Sequence, residues 1–154
     1  MTKIGIADTM FARYDMGSLA IKTIDENSPS ADIVKYTVPG VKDLPVAAKK
    51  LIEEHKCDIV MALGMVGKQP IDETCAHEAN QGLIQAELMT NKHIIKVFVH
   101  EQEANDDEKL KAIFVDRTKK HTINTLKLLE GIEALSEFAG KGKRQGSDDA
   151  GSLS

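Results

Sequence analysis

The sequence predicts an α/β fold, a three-layer α/β/α sandwich built on a four-stranded parallel sheet. Three observations predict it. Strand-like and helix-like segments alternate along the chain in the order β-α-β-α-β-α-β-α. The links between strands are of helical length, and such crossovers force parallel pairing. Cys57 to Gly64 is nearly all apolar after Asp58, as expected of a strand covered on both faces.

Lys3 to Asp8 reads as the first strand and Thr9 to Tyr14 as the loop after it. A helix then runs from about Asp15 to Glu26, with Leu19, Ala20, Ile21 and Ile24 as a broad apolar face, until Asn27-Ser28-Pro29-Ser30 breaks it. Asp32 to Val38 is the second strand, closed by Pro39-Gly40. Asp43 suits the N-cap of a helix that carries Pro45 in its first turn and continues to His55. After the third strand, a glycine-containing loop, Met65 to Pro70, leads to a helix from about Ile71 to Asn91. Its apolar stripe is Ile71, Cys75, Ala79, Leu83 and Ala86. His93 to Val99 is the fourth strand. The acidic run Glu101, Glu103, Asp106, Asp107 and Glu108 suits a helix start, where negative charge complements the macrodipole. Helix dominates from there to about Phe138, with an interruption expected near His121 or Gly131. The chain therefore divides into a single α/β domain, residues 1–139, and a basic, Gly/Ser-rich tail, residues 140–154.

At 154 residues the chain fits one domain of the usual roughly 100–200 residues. It is 42% hydrophobic and 29% charged without a run of about 18 apolar residues, so no membrane span is expected. The opening Met1-Thr2-Lys3-Ile4-Gly5-Ile6 has no apolar signal core. A net charge of −4 supplies no overall attraction for nucleic acid. Cys57 and Cys75 are too few for a disulfide framework and lack metal-ligand spacing, and they read as reduced, buried thiols of a cytoplasmic protein.

In open parallel sheets, ligands bind outside the carboxyl ends of the strands. Four segments lie there: Asp8-Thr9-Met10-Phe11, Pro39-Gly40-Val41-Lys42-Asp43, Gly64-Met65-Val66-Gly67-Lys68 and His100-Glu101. Helix N-termini, one early aromatic ring and several ionisable groups there suit a flat heterocycle with hydrogen-bonding edges. The substrate-binding candidates are Thr9, Phe11, Pro39, Gly40, Lys42, Asp43, Met65, Lys68, His100 and Glu101. Rival sites lack their signatures. No G-x-G-x-x-G follows the first strand, and neither a phosphate-loop motif nor G-x-S-x-G occurs. His77-Glu78 has no second histidine for a metal pair.

Val38-Pro39-Gly40-Val41-Lys42-Asp43-Leu44-Pro45 is similar to the V-P-G-S-F-E-I-P segment of lumazine synthases, as are Ala62-Leu63-Gly64-Met65-Val66 and Glu78-Ala79 with Gly82. Two departures stand out. Lys42-Asp43 replaces that family's Phe-Glu, and Gly67-Lys68-Gln69-Pro70-Ile71-Asp72 replaces the R-G-x-T-x-H stretch with its catalytic histidine. With Asp8-Thr9-Met10-Phe11-Ala12-Arg13, Cys75-Ala76-His77-Glu78-Ala79, Leu88 to Ile95, Val97 to Glu101, and Ala139 to Gly142 with Arg144-Gln145-Gly146, these departures resemble the archaeal riboflavin synthases. The similarity runs from Lys3 through the tail and is weakest from Asn105 to Glu137. The resemblance implies a flavodoxin-like fold and a homopentamer with two lumazines stacked in each subunit interface. The reaction implied is dismutation of two 6,7-dimethyl-8-ribityllumazines, one passing a four-carbon unit to the other. It needs no redox cofactor, and a divalent cation such as Mg is an allowed assistant. Lumazine synthase and a non-catalytic flavin- or lumazine-binding module are the alternatives.

Each candidate also has a plainer reading. Phe11 stacks on the lumazine, or only packs its loop, and Tyr14 joins it or staples the next helix. Asp43 caps a helix, binds substrate, or does both, while Lys42 and Lys68 are substrate contacts or solvated charges. His77 lies off the apolar stripe and is the candidate general base, with an ordinary surface imidazole as its alternative. Glu78 is expected to be partly buried, and Gly82 to permit close approach to the sheet or a neighbouring subunit. Arg117, Lys120 and His121 read as a solvated helix face rather than part of a neighbour's site, and the tail as a free end. The resemblance makes that tail a candidate to order over the substrate.

Overall fold

The computed structural model describes residues 1–154. Strands β1 (Lys3–Thr9), β2 (Asp32–Val38), β3 (Ile59–Val66) and β4 (Ile94–His100) alternate with helices α1 (Met16–Asn27), α2 (Leu44–Glu53), α3 (Pro70–Thr90) and α4 (Asp107–Glu130). The sheet is wholly parallel in the order β2-β1-β3-β4. Two cores cover its faces. Ile4, Ile6, Met61 and Leu63 pack beneath α1 and α4 with Ile24 and Phe114. Ala7, Val60 and Ala62 pack beneath α2 and α3 with Leu51 and Leu83. The alternation of partners along β3 explains why it had to be apolar throughout: all eight of its residues are buried.

Helix starts follow local chemistry. Asp15 accepts the Ser18 N–H at 3.0 Å, and Asp106, from the acidic run, accepts the Lys109 N–H at 2.8 Å. Asp43 behaves differently from expectation. Its carboxylate accepts the Gly40 N–H at 3.1 Å, closing the 3-10 turn Val41–Asp43, and makes no side-chain cap on α2.

Other boundaries need correction. β3 begins two residues later than expected and extends to Val66, because β4 continues the ladder to the pair Val66–His100. Met65 is therefore a strand residue, 2% exposed, and not part of a loop. Ile71 is 65% exposed, so the buried stripe of α3 is Ala76, Ala79, Leu83 and Ala86. α4 runs unbroken through His121 and stops at Gly131, whose φ of 138° favours glycine. Gly82 lets α3 approach α2: a Cβ there would lie 2.8 Å from Pro45 Cγ.

The tail also departs from a free end. The Arg117 guanidinium donates to the Gly146 carbonyl, and Asn124 Nδ2 donates to Gln145 Oε1 at 2.6 Å. Arg117, bonded to the tail, is largely covered, His121 is buried, and only Lys120 keeps the exposed position expected of that face.

Candidate active site

β1 leads to β2 on one side while β3 lies on the other, so the loops after β1 and β3 diverge at the carboxyl edge. Such divergence opens a crevice in parallel sheets. A cavity of about 260 Å³ occurs there, formed by Phe11 after β1, residues 40–43 after β2, residues 65–67 at the end of β3, and Asp72 and Cys75 on α3. Phe11 is 53% exposed and belongs to neither core, so its ring presents apolar surface that folding leaves uncovered. Tyr14 is not its partner: that ring stacks on Phe114 at 5.8 Å, which settles it as a packing residue.

The walls are held by hydrogen bonds that also orient their polar groups. Asp72 reaches back from the first turn of α3 to accept the Gln69 N–H at 2.9 Å. Gly67 leaves space for that carboxylate, because a Cβ there would collide with it. Lys42 Nζ lies 3.8 Å from Glu78 Oε1, joining the turn after β2 to α3. Both groups are about half exposed, contrary to the partial burial expected of Glu78.

Beside this cavity, a second of about 320 Å³ is lined by Asp8, Thr9, Tyr14, Lys35 and Thr37 among others. Asp8 accepts the Thr37 hydroxyl at 2.5 Å and faces Lys35 Nζ at 3.4 Å. Thr9 is buried and its hydroxyl has no partner within the chain. The buried hydroxyl retains a desolvation cost that a bound polar group would relieve.

The structure therefore gathers Phe11, Gly40, Lys42, Asp43 and Met65 around one cavity, Met65 mainly through backbone because its side chain is in the core. Thr9 faces the adjoining cavity. Pro39 and Lys68 are exposed and line neither. His77 points away along α3, where its Nε2 lies 3.2 Å from Gln81 Nε2. His100 and Glu101 do not act as a pair. His100 Nδ1 meets Glu73 Oε1 at 3.0 Å, whereas Glu101 meets Arg13 at 3.1 Å. Hydrogen bonding to Asp107 first, and to Glu101 next, raises the pKa of Arg13 above its ordinary value.

Val41, Val66, Gly67, Asp72 and Cys75 join the site without having been singled out. Asp72 had a signal, an acid in the first turn of a helix that opens with proline. Cys75 also corrects the reading of two buried thiols. Cys57 is buried and its pKa is pushed up to about 11 by desolvation, whereas Cys75 is half-buried on the cavity wall. No cluster of three or more His, Cys, Asp or Glu could hold a metal ion. Asp43 and Asp72 each commit an oxygen to a backbone N–H, so no step is assigned to a divalent cation.

A family model for 6,7-dimethyl-8-ribityllumazine synthase matches residues 1–132. The chain belongs to this family. Within it, the chain is similar over nearly its full length to several proteins named riboflavin synthase. That of Methanothermobacter thermautotrophicus is 53% identical over 99% of this chain and 100% of its own. Those of Aeropyrum pernix and Archaeoglobus fulgidus are 48% and 46% identical, covering 97% and 98% of both chains, respectively. The 6,7-dimethyl-8-ribityllumazine synthase of Thermus thermophilus is 42% identical over only 42% of this chain and 43% of its own. The family likeness that Val38 to Pro45 first suggested is thus confirmed, and the likeness to these riboflavin synthases extends along essentially the whole chain.

Proposed function

We propose that the protein is a riboflavin synthase that dismutates two molecules of 6,7-dimethyl-8-ribityllumazine into riboflavin and 5-amino-6-(D-ribitylamino)uracil. The observation that carries this is the likeness to riboflavin synthases over essentially the entire chain, tail included. The strand-end cavity suits the substrate class. Phe11 offers an uncovered ring for stacking, and the peptide edges at Gly40 and residues 65–67, with Lys42 and Asp43, offer hydrogen-bond partners for a pyrimidine edge.

Chemically, the ring system acidifies its own methyl group, so a modest base suffices to form the carbanion. That carbon attacks the second ring. The four-carbon unit leaves the donor, and the electrons lost by one lumazine are gained within the pair, so no external oxidant or redox cofactor is consumed. Holding the rings face to face supplies much of the acceleration, up to roughly 7–11 kcal/mol at best. His77 remains the candidate base. Because it lies outside the cavity of its own chain, the reading requires it to serve a ring held at an interface.

A shared site is supported by size and by surface. One chain's cavity of about 260 Å³ falls below the roughly 300–1,000 Å³ typical of enclosing ligand pockets. The outer side of α3 exposes Ile71, Ile84, Leu88 and Met89, and α2 exposes Val46, as a subunit contact would. The assembly is read as a homopentamer. No helix is long and apolar enough to cross a membrane, and the two unpaired cysteines suit the cytoplasm.

The test is to incubate the purified protein with 6,7-dimethyl-8-ribityllumazine alone and resolve the products by chromatography. Riboflavin and the pyrimidinedione in equal amounts are expected. Unchanged lumazine would overturn the reading, and tight binding without turnover would leave a ligand-binding module in its place. Turnover only from the pyrimidinedione with a dihydroxybutanone phosphate would identify a lumazine synthase.

A further inference from the structure

The loop that carries Phe11 runs from Met10 to Asp15, between β1 and α1. Its side chains are held very unequally. Ala12 and Tyr14 turn inward against the core beneath α1 and α4, and the Tyr14 ring stacks on Phe114. Met10 and Phe11 are exposed and belong to neither core. Just before Phe11, the Met10 N–H donates to the Val38 carbonyl at 2.9 Å.

Just after it, the anchor is Arg13. Its Nη1 donates to Glu101 Oε2 at 3.1 Å, and its Nη2 lies 2.9 Å from Asp107 Oδ1. The two carboxylates come from different elements, the turn Glu101–Glu103 after β4 and the first turn of α4. One on each arm of a planar guanidinium, they fix both its place and its direction. The Glu101 end is firm. Its side chain is largely covered, the His100 N–H closes the turn onto Glu103 at 2.8 Å, and Arg117 of α4 grips Glu103. Arg13 lines the cavity beside the one that holds Phe11, and neither Arg13, Glu101 nor Asp107 lines the latter within the chain.

These bonds add little to the stability of the whole fold, because the Arg13 and Asp107 side chains are 44% and 82% exposed. What they restrict is the loop. Without them, hydrogen bonds hold it only at its ends, from Met10 to Val38 and from Tyr14 and Asp15 into α1. A stacking ring on a loop that must first be ordered binds its ligand more weakly.

We propose that Arg13, braced by Glu101 and Asp107, is a positioning residue that fixes the Phe11 ring where it stacks on the heteroaromatic substrate. The proposal rests on the riboflavin synthase reading, and it moves Glu101 from substrate contact to support of Arg13.

The experiment is a double-mutant cycle on the full chain, read as the dissociation constant for 6,7-dimethyl-8-ribityllumazine in a fluorescence titration. Arg13→Ala is expected to weaken binding about fivefold, within the range of coupling between neighbouring residues. In a Phe11→Ala background the same change should have no further effect, because the ring that Arg13 places is gone. Glu101→Ala/Asp107→Ala should match Arg13→Ala, and Arg13→Lys, able to keep one ion pair, should lose less. Circular dichroism confirms that each variant folds. Wild-type affinity in Arg13→Ala would overturn the role. So would losses that multiply when Arg13→Ala and Phe11→Ala are combined, since a direct substrate contact or a general loss of structure acts independently of the ring. A wild-type chain that leaves lumazine unbound would overturn the functional reading and this role together. Wild-type binding with either of the first two results overturns this role alone.

Discussion

Arg117 holds Glu103 through two parallel hydrogen bonds, of 2.7 Å from Nη1 and 2.6 Å from Nη2. The same guanidinium donates to the carbonyl of Phe98 at 3.0 Å and to that of Gly146. One side chain from α4 thus ties together the end of β4, the turn after it and the tail. Its side chain is 12% exposed, so these bonds are made largely out of water. Arg117→Ala is expected to cost about 3 kcal/mol, because a half-buried carboxylate loses its partner. Denaturant titration checks this, and limited proteolysis should show the tail released. A stable variant with a protected tail would refute the role.

The carboxyl of Glu103 feels burial, which raises its pKa, but the bonds from Arg117 and the His100 N–H outweigh it and leave the pKa below the ordinary 4.5. A depressed carboxylate contributes stability that is present above its unfolded value and lost as pH falls through its folded one. His121 acts in a higher window. Desolvation first, and the Arg117 charge second, lower its pKa to about 4 from 6.5. Between those values the unfolded chain takes up a proton that the folded chain refuses, so stability should decline as pH drops from 6.5 to about 4. The full shift corresponds to about 3 kcal/mol. His121→Leu also removes a buried Nδ1 that has no partner, and its stability should be flatter across this window. Parallel curves for the two proteins would rule His121 out as the cause.

Phe11→Ala removes a ring that supports neither core. Its stability should change by no more than an ordinary surface substitution does, about 0.5 kcal/mol. Lumazine affinity, followed by fluorescence titration, should fall about tenfold if stacking is worth roughly 1.5 kcal/mol. An unchanged affinity would take Phe11 out of the site.

Cys75 and Cys57 should part company toward a thiol reagent. Cys57 is buried and its pKa is held at about 11, so little thiolate is available there. Cys75 lines the cavity, and iodoacetamide should label it first. Lumazine should slow that labelling, which peptide mapping by mass spectrometry can follow. Equal labelling with and without lumazine would place the substrate elsewhere.

The element order and the parallel sheet were legible because periodicity is a local property: β3 had to be apolar on both faces and α1 on one. The strand-end loops followed from topology, which is why Phe11, Gly40, Lys42 and Asp43 do share a cavity. His100 and Glu101 show where this reasoning stops. Adjacent strand-end residues point to opposite sides, and their partners, Glu73 and Arg13, lie 27 and 88 residues away. Chain spacing carries no record of such pairs.

By itself, then, the sequence determined the fold class, the edge of the sheet where the candidate cavity opens, and the family to which its motifs belong. Tertiary structure alone decided that Tyr14 packs on Phe114, that Met65 turns into the core, and that Arg117 and His121 are covered. It also decided that the tail, read as a free end, is pinned to α4. The physical reason is the same throughout. Hydrophobic periodicity is written in neighbouring residues, whereas burial and ion pairing are set by surfaces that meet only after the chain has closed on itself.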